Sequence, residues 1–565
     1  MLKEKIVSFL KKELKQDVQL NMPPSSDLGD FSLACFKYSK EPQEIAGHLA
    51  EKLRHIKGIK RVEVVGPYLN IFINKEVLAK EIITRISKER DKFGSLALGK
   101  KKTALIEHTS INPNASPHVG RVRNAIIGDS LTRLLRFQGY KTQVHYFVNN
   151  VGKQIAMLVL GCKKNVSFDK LLGIYISINK RVEKDKDLEK NVFELLNKFE
   201  SGDKKTIKKF KQVVSICIQG QLKILNEFGI YYNFFDYESK YLGKKVNSII
   251  ERLEKTGKVF KDAYGRKVLD QAEFNFPIKA PCLVLTRADG TSLYALRDIA
   301  YHLDKVSKMK SQLRRRLIFT QVADARENHA GHRNIIVLGE DHKMYHQQIK
   351  AALSLLNVSA PEAVFYSFVL LKTGKMSTRQ GNLVLLEDFM REAKNKALNV
   401  LKQVNIKDQR LAKAIGYGAI KYSILKVSAE KNIIFDWGSA LSFEGDSAPY
   451  IQYTHARANS ILKKAGVKKI QLRKIKLTNP VEFLVVKELA NFPDIVKSAT
   501  VHLKPHLIAN YLSQLAQKFN EFYHACPCIT AEKGIKETRL ALVAATKQTL
   551  KNGLGLLGID APERM

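Results

Sequence analysis

Residues 103–148 read TALIEHTSINPNASPHVGRVRNAIIGDSLTRLLRFQGYKTQVHYFV, and this stretch decides the fold. Thr103-Ala104-Leu105-Ile106 is a short apolar run of the kind that fills a buried strand. Ile111 to Pro117 is rich in Asn, Ser and Pro and reads as a loop. Val122 to Gln138 has the apolar spacing of an amphipathic helix, which Gly139 can terminate. Val144-His145-Tyr146-Phe147-Val148 is a second strand. Strand, loop, helix, strand is a βαβ unit, and such units bind ligands beyond the carboxyl ends of their strands, where a helix N-terminus offers free N–H groups to phosphate. His118-Val119-Gly120-Arg121 falls at that place. Gly120 lets a phosphate or an adenine come close to the backbone, and His118 can donate hydrogen bonds to phosphate oxygens whose charge grows during displacement.

A lone His-x-Gly is also a common helix start, so its meaning depends on what accompanies it. Far downstream, after a second apolar strand expected over Val364 to Leu371, comes Lys372-Thr373-Gly374-Lys375-Met376-Ser377-Thr378-Arg379. Glycine supplies freedom, Lys375 and Arg379 supply positive charge, and Ser377 supplies a hydroxyl donor, a composition suited to a polyphosphate. Taken alone, this loop reads equally well as a solvated basic turn. The two elements in this order, each at a strand end, argue for one bipartite nucleotide site.

The pair resembles the two signature motifs of class I aminoacyl-tRNA synthetases, and the residues between them narrow the resemblance to the arginyl-tRNA synthetases. Glu107-His108-Thr109-Ser110-Ile111-Asn112-Pro113-Asn114 precedes the His-x-Gly element as that family's pattern does. Ser292 to Tyr301 (SLYALRDIAY) resembles its amino-acid-pocket helix, and Gly339-Glu340-Asp341-His342 follows the strand Ile335-Ile336-Val337-Leu338. The end of the chain, from Asn552-Gly553-Leu554 to Pro562-Glu563-Arg564-Met565, is similar to the family's usual ending.

The fold implied is α/β: a class I Rossmann-type catalytic domain over 99–407 with an inserted connective domain, a small N-terminal α/β domain over 1–98, and a C-terminal α-helical bundle over 408–565. Residues 1–98 show a short basic helix, a helix from Pro42 to Leu53, and strands Arg61 to Val65 and Leu69 to Ile73 about a Gly66-Pro67 turn. The resemblance gives this unit contact with the tRNA body. Residues of about 161–279 are polar, Lys-rich and helical in period, as in Leu188 to Phe199 and Val213 to Phe228, and are expected to form the insertion. The basic residues Lys204, Lys205, Lys208, Lys209 and Lys211 read as an acceptor-stem contact or a solvated helix face. Residues 308–333, with Arg314-Arg315-Arg316, are expected to be a surface insertion. From about 408 the pattern is helical, and Leu507, Ile508, Tyr511, Leu512, Leu515, Phe519 and Phe522 make one core stripe. Tyr450, Tyr453, His455 and Arg457 could stack on unpaired bases or be structural.

The resemblance implies ATP-dependent attachment of L-arginine to tRNA(Arg) through an arginyl-adenylate, with release of AMP and diphosphate. Pro117, His118, Gly120, His342, Lys375, Met376 and Ser377 would bind ATP, with Mg²⁺ bridging phosphate oxygens. His118, Gly120, Arg121, Lys375, Ser377 and Arg379 would serve the chemical step. For the amino acid, a guanidinium calls for carboxylates and planar acceptors. Asp298 would accept from it, with Tyr294 one turn before, while Glu107 and Asn112 would fix the α-ammonium and carboxylate. The competing reading of Asp298 is a salt bridge with Arg297 or Lys305. Glu340 is a weaker candidate for the same cleft.

Two positions depart from the class pattern. Arg121 stands where the first motif ordinarily ends in His, and Thr378 stands where the second ordinarily carries Lys. Members lacking that Lys often have one just before the first motif's His, and here that position is Ala115. The activating charge must therefore come from elsewhere, and Arg121, Arg123, Lys372 and Arg379 are the candidates. A catalytically altered RNA-binding relative is the alternative those departures raise, and the retained pocket residues argue against it.

The 565 residues allow three or four domains, and 45 % hydrophobic content supports globular cores. Lys plus Arg number 95 against 55 acidic residues, a net charge of +40 whose simple reading is a polyanionic partner, the alternative being a host proteome that is basic throughout. Charge alone does not separate RNA from DNA or an anionic membrane; the resemblance names tRNA(Arg), with no DNA and no membrane. No run of about 18 apolar residues appears, and Met1 to Val7 lacks the apolar core of a signal peptide, so a soluble, cytoplasmic protein is expected. Six scattered cysteines argue against a disulfide framework. His524-Ala525-Cys526-Pro527-Cys528 lacks a second ligand pair at zinc spacing and is assigned to packing, so no protein-held metal is expected.

Overall fold

The computed structural model describes residues 2–21, 23, 25–163, 166–318, 332–371, 384–467 and 474–565, with the backbone alone for 26, 244, 309–318 and 371. The N-terminal unit runs α1 (Leu2–Leu14), β1 (Phe31–Ala34), α2 (Pro42–Leu53), β2 (Ile59–Val65), β3 (Tyr68–Ile73) and α3 (Lys75–Glu89). Its strands form an antiparallel sheet in the order β1-β3-β2, with Leu33 opposite Leu69 and Val62 opposite Ile71. Helix α2 starts at Pro42, where a missing N–H costs nothing, and buries Ala46, Leu49, Ala50 and Leu53 on one face.

The next segment is the βαβ unit: β4 (Thr103–Glu107), α4 (Val119–Phe137) and β5 (Lys141–Val148). Helix α4 begins three residues earlier than its apolar period indicates. His118 takes extended backbone (φ −103°, ψ 155°) and acts as the cap residue, while the Val119 N–H, one of the donors a helix start leaves over, finds the Val384 carbonyl at 3.0 Å. At the other end Gly139 adopts φ +85°, which turns the chain into β5.

Helices α5 (Lys153–Gly161), α6 (Leu171–Val182), α7 (Lys186–Glu200) and α8 (Lys204–Glu227) follow, then β6 (Phe234–Tyr237). This corrects the expectation of one insertion over about 161–279: β6 pairs in parallel with β5, His145 opposite Phe234, and belongs to the central sheet. Its sequence, Phe-Phe-Asp-Tyr, hides it, because Asp236 breaks the apolar run that marks a buried strand. What lies outside the sheet beyond β6 is α9 (Lys244–Glu254) and an antiparallel ribbon of β7 (Val259–Lys261), β8 (Lys267–Asp270) and β9 (Cys282–Val284).

Helix α10 (Tyr294–Ile318) comes next, and it carries the chain through the first part of the expected surface insertion at 308–333 as helix; residues 319–331 lie outside the described residues. Then come β10 (Arg333–Gly339), α11 (Lys343–Leu355), β11 (Glu362–Tyr366) and β12 (Val369–Leu371). The single strand expected over Val364 to Leu371 is two strands in different sheets. The break at Ser367 has a local cause: its N–H goes to the Ala429 carbonyl, its hydroxyl lies between the Glu430 carbonyl and the Glu340 carboxylate, which share its one proton, and its own carbonyl accepts from Arg123 Nη1 at 2.7 Å. Every polar group that would continue the ladder is engaged elsewhere.

The central sheet is all parallel in the order β11-β10-β4-β5-β6. From β4 the chain steps one way, to β5 and β6; from β10 it steps the other way, to β11. The crevice between the carboxyl ends of β4 and β10 is therefore the topological switch point, where open α/β sheets bind ligands.

The C-terminal part consists of α12 (Leu386–Gln403), α13 (Gln409–Leu425), β13 (Ile433–Phe435), α14 (Trp437–Ala440), α15 (Ala448–Lys464), α16 (Pro480–Val501), α17 (His506–Ala525) and α18 (Ile535–Leu556). It is helical except for β13, which pairs in parallel with β12, Val369 opposite Ile433. In α17, Ile508, Tyr511, Leu512, Leu515, Phe519 and Phe522 are buried as a stripe, with Leu507 at its edge. Cys526 and Cys528 are buried in the same core. Exposed Lys204, Lys205, Lys208, Lys209 and Lys211 surround buried Phe210 on α8, a solvated basic face.

Candidate active site at the sheet switch point

The loop from β4 to α4 is fixed before it reaches His118. Tyr146 of β5 donates its hydroxyl to the Ile111 carbonyl at 3.0 Å, and Gln221 of α8 donates to the carbonyls of Asn112 and Ala115 at 3.0 and 2.8 Å. Asn112 Nδ2 donates to Gln154 Oε1 at 2.9 Å. The Ser116 hydroxyl donates to Glu387, and the Leu386 N–H to the Pro117 carbonyl at 2.8 Å, so α12 closes the far side. Upstream, Thr109 and Ser110 take φ +84° and +37°. A β-branched residue in that region is strained. Asn124 of α4 holds it there: its Oδ1 accepts the Thr109 N–H at 2.7 Å while its Nδ2 donates to the Val337 carbonyl of β10 at 2.8 Å. One amide thus ties both walls of the crevice together.

His118 stands at the mouth of α4 with its Nδ1 buried and, among the described residues, unpartnered. Burial, aided by the Arg121 charge, pushes its imidazole down to about 4, so it is neutral at physiological pH with one N–H to offer. Arg121 is exposed in the first turn of α4, and its charge and hydrogen bonding lower the Tyr366 hydroxyl, which burial raises. Arg123 is different. It is fully buried and donates to the carbonyls of Ser367, Phe368 and Ser428, so its charge is committed to joining α4 to the β11–β12 break and cannot face a phosphate. Lys372, Lys375, Met376, Ser377, Thr378 and Arg379 lie outside the described residues.

At the end of β10, Glu340 accepts from the Ser367 hydroxyl at 2.5 Å, and His342 precedes α11, its ring 6.5 Å from that of Tyr345. Tyr345 links this end of β10 to the face of α10 that carries Tyr294 and Asp298. Its ring lies 5.1 Å from that of Tyr294, and its hydroxyl donates to Asp298 Oδ2 at 2.5 Å. Tyr294 is 57 % exposed, an open aromatic face at the start of α10.

Neither salt bridge that competes for Asp298 forms. Arg297 pairs with Glu238 at 2.6 Å and Lys305 pairs with Glu107, both buried pairs. Among the described residues Asp298 has no cationic partner. Burial raises its carboxyl to about 7, with Tyr345 and Arg297 opposing and the charges of Glu238 and Glu107 adding to the rise. A carboxyl left short of positive charge beside two tyrosines suits a guanidinium.

Glu107 is placed otherwise than its sequence reading suggests. It is 4 % exposed, its carboxylate engages Lys305, and Tyr301 crowds it. Tyr294, Asp298, Tyr301 and Lys305 follow one another at four, three and four positions, a single face of α10. That face runs from the open pocket down to the end of β4, and the Glu107–Lys305 pair is its anchor. Sequence reading missed Tyr345, Asn124 and Gln221 altogether, and weighed Lys305 only as a partner for Asp298. For Tyr345 the available signal was its position three residues beyond His342, on the same face of the helix start.

A five-stranded parallel sheet with a His-x-Gly helix start at its switch point, and a helical bundle after it, defines a class I aminoacyl-tRNA synthetase. The family model described as tRNA synthetases class I (R), catalytic domain, matches residues 82–437; arginyl tRNA synthetase N terminal domain matches 1–73, and DALR anticodon binding domain matches 451–565. The chain belongs to the arginyl-tRNA synthetase family. It is 38 % identical to the arginine–tRNA ligase of Methanocaldococcus jannaschii, covering 100 % of this chain and 98 % of that one. It is 39 % identical to the arginine–tRNA ligase of Methanocella arvoryzae, covering 93 % and 91 %. Among solved structures, the arginyl-tRNA synthetase of Thermus thermophilus superposes with a TM-score of 0.80 at 26 % identity, covering 100 % of this chain and 99 % of that one.

Proposed function

We propose that this chain joins L-arginine to tRNA(Arg) at the crevice between β4 and β10. Asp298 carries the reading: it is a carboxyl with no cation of its own among the described residues, on a helix tied directly to the strand that leads into the His118 loop. In the first step the arginine carboxylate attacks the α-phosphorus of ATP and diphosphate leaves. In the second, a ribose hydroxyl of the terminal adenosine takes the arginyl group and AMP leaves. Neither step needs a protein nucleophile; both need positioning and stabilisation of charge.

Pro117, His118 and Gly120 line the nucleotide side, with His342 across the crevice. Neutral His118 gives its N–H to a phosphate oxygen, and exposed Arg121 adds permanent charge where the class pattern has His. Lys375, Met376, Ser377 and Arg379 complete the phosphate side in this reading. Asp298 takes the guanidinium and Tyr294 packs on it. Asn112 serves the α-ammonium and carboxylate region, and Glu107 acts through Lys305 as the anchor of the α10 face that bears Asp298 and Tyr294. Mg²⁺ would be held by the phosphate oxygens of the nucleotide, its usual ligands, beside His118 and Arg121, and would supply neutralising charge there.

The division into 1–98, 99–407 and 408–565 assigns the tRNA body to the first part, the chemistry to the second and the anticodon to the third, in the cytoplasm. Among the described residues no helix is long and apolar enough to cross a membrane. Charging of total tRNA with each of arginine, lysine and citrulline tests the reading. Arginine alone should be esterified; tRNA binding without esterification of any amino acid would refute it. Arginine-dependent exchange of diphosphate into ATP, with and without tRNA, then tells whether tRNA must bind first.

A further inference from the structure

Asp298 sits on α10, yet the atom that fixes it comes from α11. Tyr345 keeps its proton well beyond neutral pH, because burial and the adjoining carboxyl both raise it, so its hydroxyl is the donor and Asp298 Oδ2 the acceptor. The same ring closes on Tyr294 at 5.1 Å, tilted by 46°, and reaches toward His342 at 6.5 Å. Tyr345 therefore touches both residues proposed for the guanidinium and faces the residue proposed for the nucleotide.

We propose that Tyr345 is a positioning residue that sets the enzyme's selectivity for a guanidinium, holding the Asp298 carboxylate in one plane by donating to Oδ2 and packing at a tilt on Tyr294. This rests on the reading that Asp298 receives the substrate side chain. A carboxylate has about four lone-pair positions, and a guanidinium presents its N–H groups in a rigid fork. With one position of Oδ2 taken by Tyr345, Oδ1 and the other position of Oδ2 remain coplanar for that fork. Lysine offers a compact ammonium that needs no such plane, and citrulline offers no charge. Without the hydroxyl the carboxylate is free to rotate and the plane is lost.

The hydroxyl also keeps Asp298 available. The groups acting on it are Glu238, following β6, and Glu107 of β4, which favour its proton, and Arg297 of α10 and Tyr345 of α11, which oppose it. Removing Tyr345 from the opposing side leaves Asp298 holding its proton to higher pH, so the loss of arginine binding is greatest on the acid side.

The test is Tyr345→Phe in the full chain, assayed by arginine-dependent exchange with total tRNA present from pH 6 to 9, with the thermal midpoint recorded. The expected result at pH 7 is an arginine KM at least about tenfold higher, an ATP KM within about twofold, a smaller arginine defect at pH 9, and lowered discrimination against lysine. In an Asp298→Asn background the Tyr345→Phe change should add nothing. An unaltered arginine KM, equal losses for arginine and ATP, or a full Tyr345→Phe effect persisting in the Asp298→Asn background would overturn the proposal. If Asp298→Asn itself leaves the arginine KM intact, it is the pocket reading that fails.

Discussion

Lys305→Met should both loosen the catalytic unit and weaken arginine binding. Lys305 is 1 % exposed and the carboxylate it meets, on Glu107, is 4 % exposed. Two unit charges about 4 Å apart attract by about 4 kcal/mol at an effective dielectric of 20. Removing one member of a buried pair costs about 3–5 kcal/mol, because the other stays behind uncompensated. Tyr301 still lies beside Glu107 in the variant, so about 3 kcal/mol is the expected loss, a fall of about 5 °C for a unit of about 300 residues that gains about 2.1 cal/mol/K per residue on unfolding. The double variant Lys305→Met/Glu107→Leu removes both charges and should recover most of it. Since Lys305 anchors the helix face bearing Asp298 and Tyr294, the arginine KM of the single variant should rise while the ATP KM changes little. Urea or heat inactivation, followed by residual exchange activity, reads the unit concerned rather than the whole multidomain chain. A Lys305→Met variant with the parent's midpoint and arginine KM would refute the reasoning. So would a double variant worse than the sum of its parts. Glu107→Gln supplies a further distinction: if the carboxylate reaches the arginine α-ammonium, it must cost more in arginine KM than Lys305→Met does.

Arginine affinity should rise with pH through about 7. The Asp298 carboxyl is raised to about 7, so below that pH the guanidinium must expel a proton to bind. Affinity should fall toward tenfold per unit well below 7 and level off above about 8; calorimetric titration measures it, and a profile flat from about pH 5.5 to 8.5 would be inconsistent with the assignment. Arg121→Ala should slow exchange more than tenfold, about 1.4 kcal/mol of barrier. Arg123→Met should instead lower stability, because three carbonyls lose their donor; a catalytic defect in a fully stable Arg123→Met protein would reverse the two roles. Gly128→Ala puts a Cβ 2.2 Å from His108 Cγ, between α4 and β4. It should destabilise by about 1–3 kcal/mol by overpacking, read as a lowered thermal midpoint.

What the sequence made legible follows from the range of the forces involved. Helix α2 is matched at both ends because a Pro start and a four-residue apolar stripe are local facts. The βαβ unit and the α17 stripe are legible for the same reason. The site is another matter. Lys305 meets Glu107 across 198 positions, Gln221 meets Asn112 across 109, and Tyr345 meets Asp298 across 47. Nothing in periodicity couples residues at such separations; only the sheet order brings them together. Charge was the poorest guide. Arg121 and Arg123 read as equal candidates two positions apart, yet a helix turns about 200° between them, which sends one to solvent and the other into the core. Strand β6 was obscured by the very residue that matters in it, since Asp236 takes His145 Nδ1 at 2.5 Å under the sheet's carboxyl edge.

These separations explain how a crevice made of loops can hold a geometry that the chemistry needs to within a fraction of an ångström. Helix α4, which opens at His118, is held along its whole length by polar bonds to other parts of the chain. Asn124 bonds to β10 and to strained Thr109, Arg123 to the β11–β12 break, Ser130 to the Leu556 carbonyl at 3.0 Å and Arg133 to the Gly229 carbonyl at 3.0 Å. The end of the chain packs on the same helix: a Cβ at Gly558 would lie 2.8 Å from Asp129 Oδ2 of α4, while Lys421 of α13 donates to the Gly558 carbonyl at 2.6 Å. Buried bonds of this kind add little net stability each, but breaking one strands its partner, so displacements of α4 are costly in every direction. The strain at Thr109 is tolerable only because this network over-determines it. Residues 556 and 558, at the far end of the chain, therefore help to fix α4, the helix that opens at His118.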